Sequence, residues 1–329
     1  SVHPHDLVPP FSIGYLATIF DEKGFGVRVI DTLVEKLRKN ELIELIDKGK
    51  PDMVIIDSTT SSDNLLGEIS KSLSSTNNIR VWAIGQYSST LPEVLLNNNT
   101  GIEGCIIKEA EATAVELIDT LNRGEELKKV KGIAFFSKKD NKIIITEERN
   151  FIEDLDRLPS IDYRFLKYKR YRVFSAHIPV FKRLKWGFLL TSRGCPYKCI
   201  YCSPTLRESY GDKFRANTAV RVVDQMEELA SVYGVNTIAF QDENFTFDKK
   251  RAIDICKEII KRGLKIKWVI QARADHLDKE VLQSLKDAGC VYIGIGVESG
   301  SQRILEILNK GESRETIKQS IQQAHKIGI

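Results

Sequence analysis

Long apolar stretches and a leader segment are both absent from this sequence. No 18 apolar residues follow one another, and the chain does not open with a charged segment that leads into an apolar one. The two absences predict a cytoplasmic protein without a membrane span. An excess of one charge is also lacking, because 49 Lys and Arg oppose 45 Asp and Glu. Overall charge therefore does not indicate a nucleic-acid binder.

Cysteine is too sparse for a disulfide framework. Among only six cysteines, Cys105, Cys256 and Cys290 stand singly in apolar stretches, where a thiol is usually a small buried hydrophobe. With 329 residues, of which 42% are hydrophobic, the chain is long enough for two domains. A helical pattern begins near residue 11 without a preceding strand, and Gly328 and Ile329 stand where a new strand would begin. We therefore expect a fragment that lacks its first strand and its C-terminal part.

Three cysteines lie within eight residues, in the order Cys195-Pro-Tyr-Lys-Cys199-Ile-Tyr-Cys202. A structural zinc site or a fully protein-bound iron–sulfur cluster needs four ligands, whereas three thiolates leave one iron of a cubane open. The cysteines follow the apolar run 186–190, and loops after strands carry the chemistry of α/β folds. The alternatives are a zinc knuckle completed by a distant residue such as His177, or three buried thiols. The spacing favours the open cluster.

The Cys-x3-Cys-x2-Cys spacing, with Tyr201 before the last cysteine, resembles the signature of radical S-adenosylmethionine (SAM) enzymes. Thr191-Ser-Arg-Gly-Cys-Pro-Tyr197 is typical of their cobalamin-binding branch. The resemblance implies three cofactors: a 4Fe-4S cluster on Cys195, Cys199 and Cys202, SAM, and cobalamin. It also implies a function, the reductive cleavage of SAM to a 5′-deoxyadenosyl radical for methylation or cyclisation at an unactivated carbon.

Residues 1–125 alternate between helical periodicity and short apolar runs, which predicts βα units around a parallel sheet. Restoring one strand at the front would make this a five-stranded flavodoxin-like or Rossmann-like domain. Ligands of such sheets bind at the carboxyl ends of the strands. The predicted strands are 27–30, 53–56, 81–84 and 104–107, and the predicted helices are 13–21, 33–47, 62–73, 90–96 and 112–121.

The segment 10–17 is similar to the opening of the cobalamin-binding domain in this branch. By this resemblance, the corrinoid would contact the loops after the strands, through Ser58, Thr59, Thr60, Gly85, Gln86, Glu109, Ala110 and Glu111. The sequence departs from the family, which often has Gly-Gly-x-His and Gly-Glu-Gly-Glu in two of these loops. The missing glycines matter because each lets the backbone approach a bulky ligand. The alternative is a domain of this fold that serves a substrate or a partner instead.

Residues 126–185 are predicted to join the two halves. Alternating apolar segments at 131–136 and 142–146 flank the turn 138–141, which predicts a β-hairpin. A tract rich in Tyr, Lys and Arg follows at 163–185. Such a tract can bind RNA or an acidic surface, although a linker with a solvated face is the more ordinary interpretation.

Residues 186–329 are predicted to form a partial (β/α) barrel with its active site at the carboxyl ends of the strands. By the resemblance, Asp242 and Glu243 would contact the amino end of SAM, and Arg273 its carboxylate. Glu298 and Ser299 would meet the ribose, with Tyr201 near the adenine. A plain surface pair of Arg273 with Asp275 is the alternative for that arginine. The predicted strands are 186–190, 237–240, 267–270 and 292–297, and the predicted helices are 219–233, 249–262, 279–288, 302–308 and 317–326.

Other catalytic motifs are missing. The sequence has no P-loop, no zincin helix and no Gly-x-Gly-x-x-Gly after a strand, and Ser299 is one place too late for a nucleophile elbow. An RNA methylthiotransferase is one rival, but such enzymes carry further cysteines in the first domain, where only Cys105 occurs. The second rival is a zinc-knuckle adaptor for nucleic acid. We expect a small-molecule, lipid or peptide substrate, and an external electron donor such as flavodoxin or ferredoxin.

Overall fold

The computed structural model describes residues 7–77, 79–173, 184–202 and 204–329. His177 and the end of the basic tract, residues 174–183, lie outside the described residues. The strands are β1 (Met53–Asp57), β2 (Arg80–Ile84), β3 (Gly104–Ile106), β4 (Ile133–Ser137), β5 (Lys142–Ile145), β6 (Trp186–Leu189), β7 (Ser192–Arg193), β8 (Arg215–Ala216), β9 (Thr237–Phe240), β10 (Lys267–Ala272) and β11 (Cys290–Ile295). The helices are α1 (Phe11–Glu22), α2 (Thr32–Glu35), α3 (Lys39–Gly49), α4 (Asp63–Asn77), α5 (Gln86–Thr90), α6 (Pro92–Asn98), α7 (Ala110–Asn122), α8 (Pro204–Tyr210), α9 (Ala219–Tyr233), α10 (Lys249–Lys261), α11 (Lys279–Asp287), α12 (Gln302–Ile307) and α13 (Arg314–Ile327).

The first sheet has five strands in the order β1-β2-β3-β4-β5. Strands β1 to β3 pair in parallel, whereas β4 pairs antiparallel with both β3 and β5. The predicted strands 53–56, 81–84 and 104–107 and the predicted hairpin are thereby confirmed. The hairpin extends the first sheet, because Cys105 of β3 stands opposite Ala134 of β4.

The predicted strand at 27–30 is wrong, because residues 25–31 form no strand in the structure. Strand β1 pairs only with β2 among the described strands. A cavity of about 1590 Å³ separates the 25–32 segment from β1, and Val29 and Ile55 lie on its wall. Alternating apolar residues indicate burial on one face, but they cannot supply the neighbouring strand that a ladder requires.

The predicted helix 33–47 is two helices, because Lys36 adopts a left-handed conformation with a φ of 57° between α2 and α3. The periodicity continues across this break, so the pattern alone did not reveal it. The predicted helix 90–96 likewise corresponds to α6, which begins at Pro92 directly after the short helix α5. A proline is well tolerated at this first helical position.

The second sheet is parallel throughout, in the order β11-β10-β9-β6. Helices α9, α10 and α11 follow β8, β9 and β10 along the chain and pack on this sheet through buried apolar faces. This arrangement confirms the predicted partial barrel and its four strands. Parallel strands all present their carboxyl ends at one edge, which is where such folds carry their active sites.

Helix α1 joins the two halves. Tyr15 belongs to the core of the second sheet, whereas Leu16 and Phe20 belong to a core beneath the first. The Thr18 hydroxyl accepts a 2.9 Å hydrogen bond from the Asp162 backbone, which ties the helix to the segment that leads into β6. In the described part of the chain, no helix combines the length and apolarity needed to cross a bilayer.

Candidate active site

The cysteine loop, residues 194–202, starts where β7 ends. Gly194 has a φ of 84°, and a Cβ atom built on it would lie 2.3 Å from the Lys213 carbonyl oxygen, so glycine is needed here. Along the loop, Cys199 is buried, Cys195 is half-buried and Cys202 is exposed. The loop after the first strand of the parallel sheet therefore carries all three predicted ligands.

The chemistry of the donor set fits a cluster, although the described residues hold no preformed group of three metal-ligating side chains. Burial raises the pKa of the Cys195 thiol, and the neighbouring Glu243, Cys202 and Cys199 raise it further. A coordinating cation reverses this effect, because it deprotonates its thiol ligands. Three thiols without a fourth protein ligand suit a 4Fe-4S cluster with one open iron.

A segment that the sequence analysis missed supports the cysteine loop. The Ile200 amide donates to the Leu308 carbonyl at 3.0 Å, and the Asn309 side-chain amide donates to the Lys198 carbonyl at 2.9 Å. The Lys310 ammonium lies 5.8 Å from the centre of the Tyr201 ring, within cation–π range. The sequence signal for this segment is Asn309-Lys-Gly311 directly after a predicted helix. In the structure, Asn309 and Gly311 both adopt positive φ.

The two acidic residues after β9 have different surroundings. Asp242 is buried and accepts hydrogen bonds from the Thr191 amide at 2.6 Å and the Thr191 hydroxyl at 2.7 Å. It therefore holds the ends of β6 and β9 together. Burial raises the pKa of Glu243 to about 7, and its carboxylate makes no hydrogen bond to another described side chain. Of the pair, Glu243 is the one available to a ligand.

Arg273 is already paired within the protein. Its guanidinium donates to both carboxylate oxygens of Asp275, at 3.0 and 2.8 Å, and lies 3.7 Å from Glu312. The same guanidinium stacks 3.6 Å from the centre of the Tyr197 ring, which belongs to the cysteine loop. The pair with Asp275 thus exists, but it is not a plain surface pair, because Arg273 is only 6% exposed while Asp275 lies at the surface.

His276 supports the other side of the cysteine loop. Its Nδ1 atom faces the Asn244 amide at 3.1 Å, and its Nε2 atom lies 2.6 Å from the Tyr197 hydroxyl. Burial lowers the pKa of His276, which favours the neutral ring. If the Asn244 amide donates to Nδ1, the ring donates through Nε2 to Tyr197. No motif in the sequence marks this histidine as part of the site.

The end of β11 brings further predicted contacts together. Glu298 has a left-handed φ of 60°, which is rare for a non-glycine residue. Its carboxylate lies 3.9 Å from the Lys310 ammonium, which also lies 3.2 Å from Glu312. Burial raises the pKa of the Tyr201 hydroxyl, and the nearby Cys199 and Glu298 add to that rise. Ser299 lies next to Glu298 and accepts a hydrogen bond from the Ser301 amide at 3.1 Å.

In the first half, the predicted loops do meet at the carboxyl ends of β1 and β2. Thr59, Thr60 and Gln86 are exposed there. Ser58 is buried and donates to the Ile84 carbonyl at 2.6 Å. Gly85 has a φ of 99°, and a Cβ atom on it would lie 2.2 Å from the Asp57 carboxylate. Position 85 therefore has no room for a side chain, and the Ser58 hydroxyl is not free to bind a ligand.

Glu109 and Glu111, predicted to face a corrinoid, pair instead with two arginines of the second half. Arg193 donates to Glu109 at 3.0 Å and to Glu111 at 2.6 Å, and Arg215 donates to Glu109 at 2.9 Å. All four side chains are buried, and we call them the interdomain charge cluster. Ala110, between the two glutamates, is 5% exposed. The carboxyl ends of the two sheets therefore face each other.

Comparison with known families agrees with this geometry. Residues 189–329 match the Radical SAM superfamily, and residues 3–118 match the B12 binding domain. The protein is thus a radical SAM enzyme whose first domain is a B12 binding domain. More particularly, the chain belongs to the cobalamin-binding branch of that superfamily, whose cofactors are a 4Fe-4S cluster, SAM and cobalamin.

Two curated relatives match almost the whole chain. An uncharacterized methyltransferase of Pyrococcus horikoshii is 32% identical over 324 residues, which cover 98% of this chain and 67% of the relative. An anaerobic magnesium-protoporphyrin IX monomethyl ester cyclase of Rubrivivax gelatinosus is 28% identical over 329 residues, covering 98% and 57%. The chain therefore spans between about half and two thirds of the length of these relatives.

Solved structures show the same fold at lower identity. The radical SAM methyltransferase TsrM from Kitasatospora setae, with cobalamin and a 4Fe-4S cluster bound, has a TM-score of 0.79 at 20% identity and covers 100% of this chain and 66% of its own. The cobalamin-dependent SAM radical enzyme OxsB has a TM-score of 0.80 at 23% identity, covering 98% and 46%. Both confirm the succession of the two domains.

Proposed function

We propose that the protein cleaves SAM reductively and uses the product for cobalamin-dependent methylation or cyclisation at an unactivated carbon. The observation that carries this proposal is the position of the cysteine loop, which lies at the strand ends that face the B12 binding domain. The cluster and SAM would supply the radical chemistry. The protein binds, orients and excludes water from the reacting groups.

In the second half, Cys195, Cys199 and Cys202 would hold the cluster. Glu243 would accept the ammonium of SAM, because its carboxylate makes no hydrogen bond to another described side chain and is close enough to Cys195 to affect the pKa of that thiol. Asp242 would act indirectly, by fixing the strand ends. Arg273 could meet the SAM carboxylate only if it loosens its contacts with Asp275 and Glu312.

Three further contacts in this half rest on the same proposal. Glu298 and Ser299 would bind the ribose, and the exposed ring of Tyr201 would lie near the adenine. The contact between Lys310 and Glu298 would keep that carboxylate at the end of β11. Glu298 and Ser299 follow β11 of the parallel sheet, and Tyr201 lies on the cysteine loop. These three residues therefore suit one SAM site at the carboxyl ends of the strands.

In the first half, the exposed residues Thr59, Thr60 and Gln86 would contact the corrinoid directly. Gly85 would allow its close approach to the backbone. Ser58 would act by fixing the loop that carries Thr59. Glu109, Ala110 and Glu111 would form the side of the site that is shared with the second half.

Both rival functions lose support, the zinc-knuckle adaptor because the residues that hold the three cysteines match the Radical SAM superfamily. The B12 binding domain covers residues 3–118, and Cys105 is buried in that half, which offers no second set of cysteines for a methylthiotransferase. We propose a small-molecule, lipid or peptide substrate. The one-electron donor would be an external protein such as flavodoxin or ferredoxin.

The test uses the full-length protein, reconstituted anaerobically with iron, sulfide and hydroxocobalamin. We expect retained iron, a retained corrinoid, and release of 5′-deoxyadenosine and methionine after reduction in the presence of SAM. Cys105→Ala is the matched control for substitutions in the cysteine loop. A protein that holds iron but releases no 5′-deoxyadenosine would contradict the proposed reaction.

A further inference from the structure

The interdomain charge cluster links the ends of two strands that belong to different sheets. Arg193 lies in β7, directly before Gly194 and Cys195, and β7 pairs antiparallel with β8, which carries Arg215. Glu109 precedes the first turn of α7 and Glu111 lies within that turn, just after β3. The interdomain charge cluster therefore connects the predicted corrinoid loop to the first cysteine of the cysteine loop.

The charges in the interdomain charge cluster balance, and its polar groups have hydrogen-bond partners. Two arginines oppose two glutamates, and each of the four side chains is at most 6% exposed. Glu109 also accepts from the Ile152 amide at 2.7 Å, and Arg215 donates to the Tyr210 carbonyl at 2.6 Å. A fully satisfied buried network holds its members in one arrangement.

Arg193 occupies the centre of this arrangement. Its guanidinium contacts both glutamates and lies 5.2 Å from the centre of the Tyr15 ring and 5.6 Å from that of Tyr210. The planar fork of arginine fixes direction as well as distance, which an ammonium cannot do.

We propose that Arg193 is a positioning residue that sets the cysteine loop against the strand ends of the B12 binding domain through Glu109 and Glu111. Buried ion pairs contribute little net stability compared with apolar packing, so their best-attested benefit is a unique arrangement. The inference rests on the proposed function, because cofactors held on facing strand ends can serve one substrate only at a fixed separation.

The test measures the geometry between the halves without relying on either cofactor. A genetically encoded nitroxide amino acid is placed at the exposed positions Lys71 of α4 and Lys257 of α10 in the full-length protein. Pulsed electron–electron double resonance then gives the distribution of distances between the labels. We expect Arg193→Lys and Glu111→Gln to broaden or shift this distribution. Arg262→Lys is the matched control, since its ion pairs lie within the second half.

An unchanged distribution in both variants would overturn the proposal. Circular dichroism identifies a variant that fails to fold, and Glu111→Asp then provides a milder change, because it keeps the charge and shortens the side chain. A shifted distribution in folded Glu111→Asp supports positioning, whereas loss of the fold there as well would show a folding role instead. Iron and corrinoid retained by the wild-type protein are measured separately. Their absence would refute the proposed function and leave the result on Arg193 intact.

Discussion

Arg193 and Glu111 are 82 residues apart in the chain, yet the guanidinium Nη2 atom lies 2.6 Å from the carboxylate Oε1 atom. One residue directly precedes the glycine of the cysteine loop, and the other lies in the first turn of the helix after β3. Both side chains are shielded from water, so solvent screens their attraction little. This contact joins the residue before the cysteine loop to the helix that follows β3.

Replacing any one of Cys195, Cys199 and Cys202 with Ala should sharply lower the iron content, because a site with three protein ligands has none to spare. Cys256→Ala serves as the control, since that thiol is buried in α10 away from the loop. Iron and sulfide analysis after anaerobic reconstitution measures the effect. Wild-type iron content in the triple variant would contradict the assignment.

Glu243 should make SAM binding depend on pH near neutrality. Burial raises the pKa of this carboxyl to about 7, so it becomes neutral below that pH and loses its attraction for an ammonium. The association constant should therefore fall as the pH drops through 7, by at most about tenfold per pH unit, towards the value of the neutral form. Equilibrium dialysis between pH 5.5 and 7.5 measures this slope. Glu243→Gln should bind SAM more weakly and should lose the pH dependence. Glu280→Gln, a control on the surface, should keep the wild-type affinity and the wild-type pH dependence. A pH dependence retained in Glu243→Gln would assign the titration to another group.

Gly194→Ala should destabilise the protein more than Gly263→Ala does. Both glycines have positive φ, of 84° and 63°, and alanine in that region costs about 1–2 kcal/mol. No described atom lies within 4 Å of a Cβ atom at 263, whereas the Lys213 carbonyl oxygen lies 2.3 Å from one at 194. The backbone around the cysteine loop must therefore move as well. Free energies of unfolding in urea compare the two variants, and equal losses would be inconsistent with the close approach.

Thr59→Trp should reduce the amount of hydroxocobalamin that survives desalting of the full-length protein. Thr59 is exposed at the carboxyl end of β1, so a large ring there would occupy the space proposed for the corrinoid. Lys261→Trp, an exposed change in the second half, controls for the added bulk. The corrinoid absorbance relative to protein measures retention. Full retention in Thr59→Trp would place the corrinoid elsewhere.

Much of this fold was predictable because its patterns are local. The four strands of the second sheet and helices α9 to α11 follow from periodicity, and the Cys-x3-Cys-x2-Cys spacing predicts three cluster ligands within eight residues. The strand predicted at 27–30 was wrong because a strand also needs a neighbour, and no sequence pattern names one.

By itself, the sequence determined the class of each half and predicted the residues that would carry the chemistry. Only the tertiary structure decided which contacts these residues make. Asp242 supports Thr191 while Glu243 stays available, and Glu109 pairs with Arg193, which is 84 residues away. Whether a carboxylate contacts a ligand or a protein cation depends on which distant side chain folding brings within about 3 Å, and this proximity has no local signature in the chain.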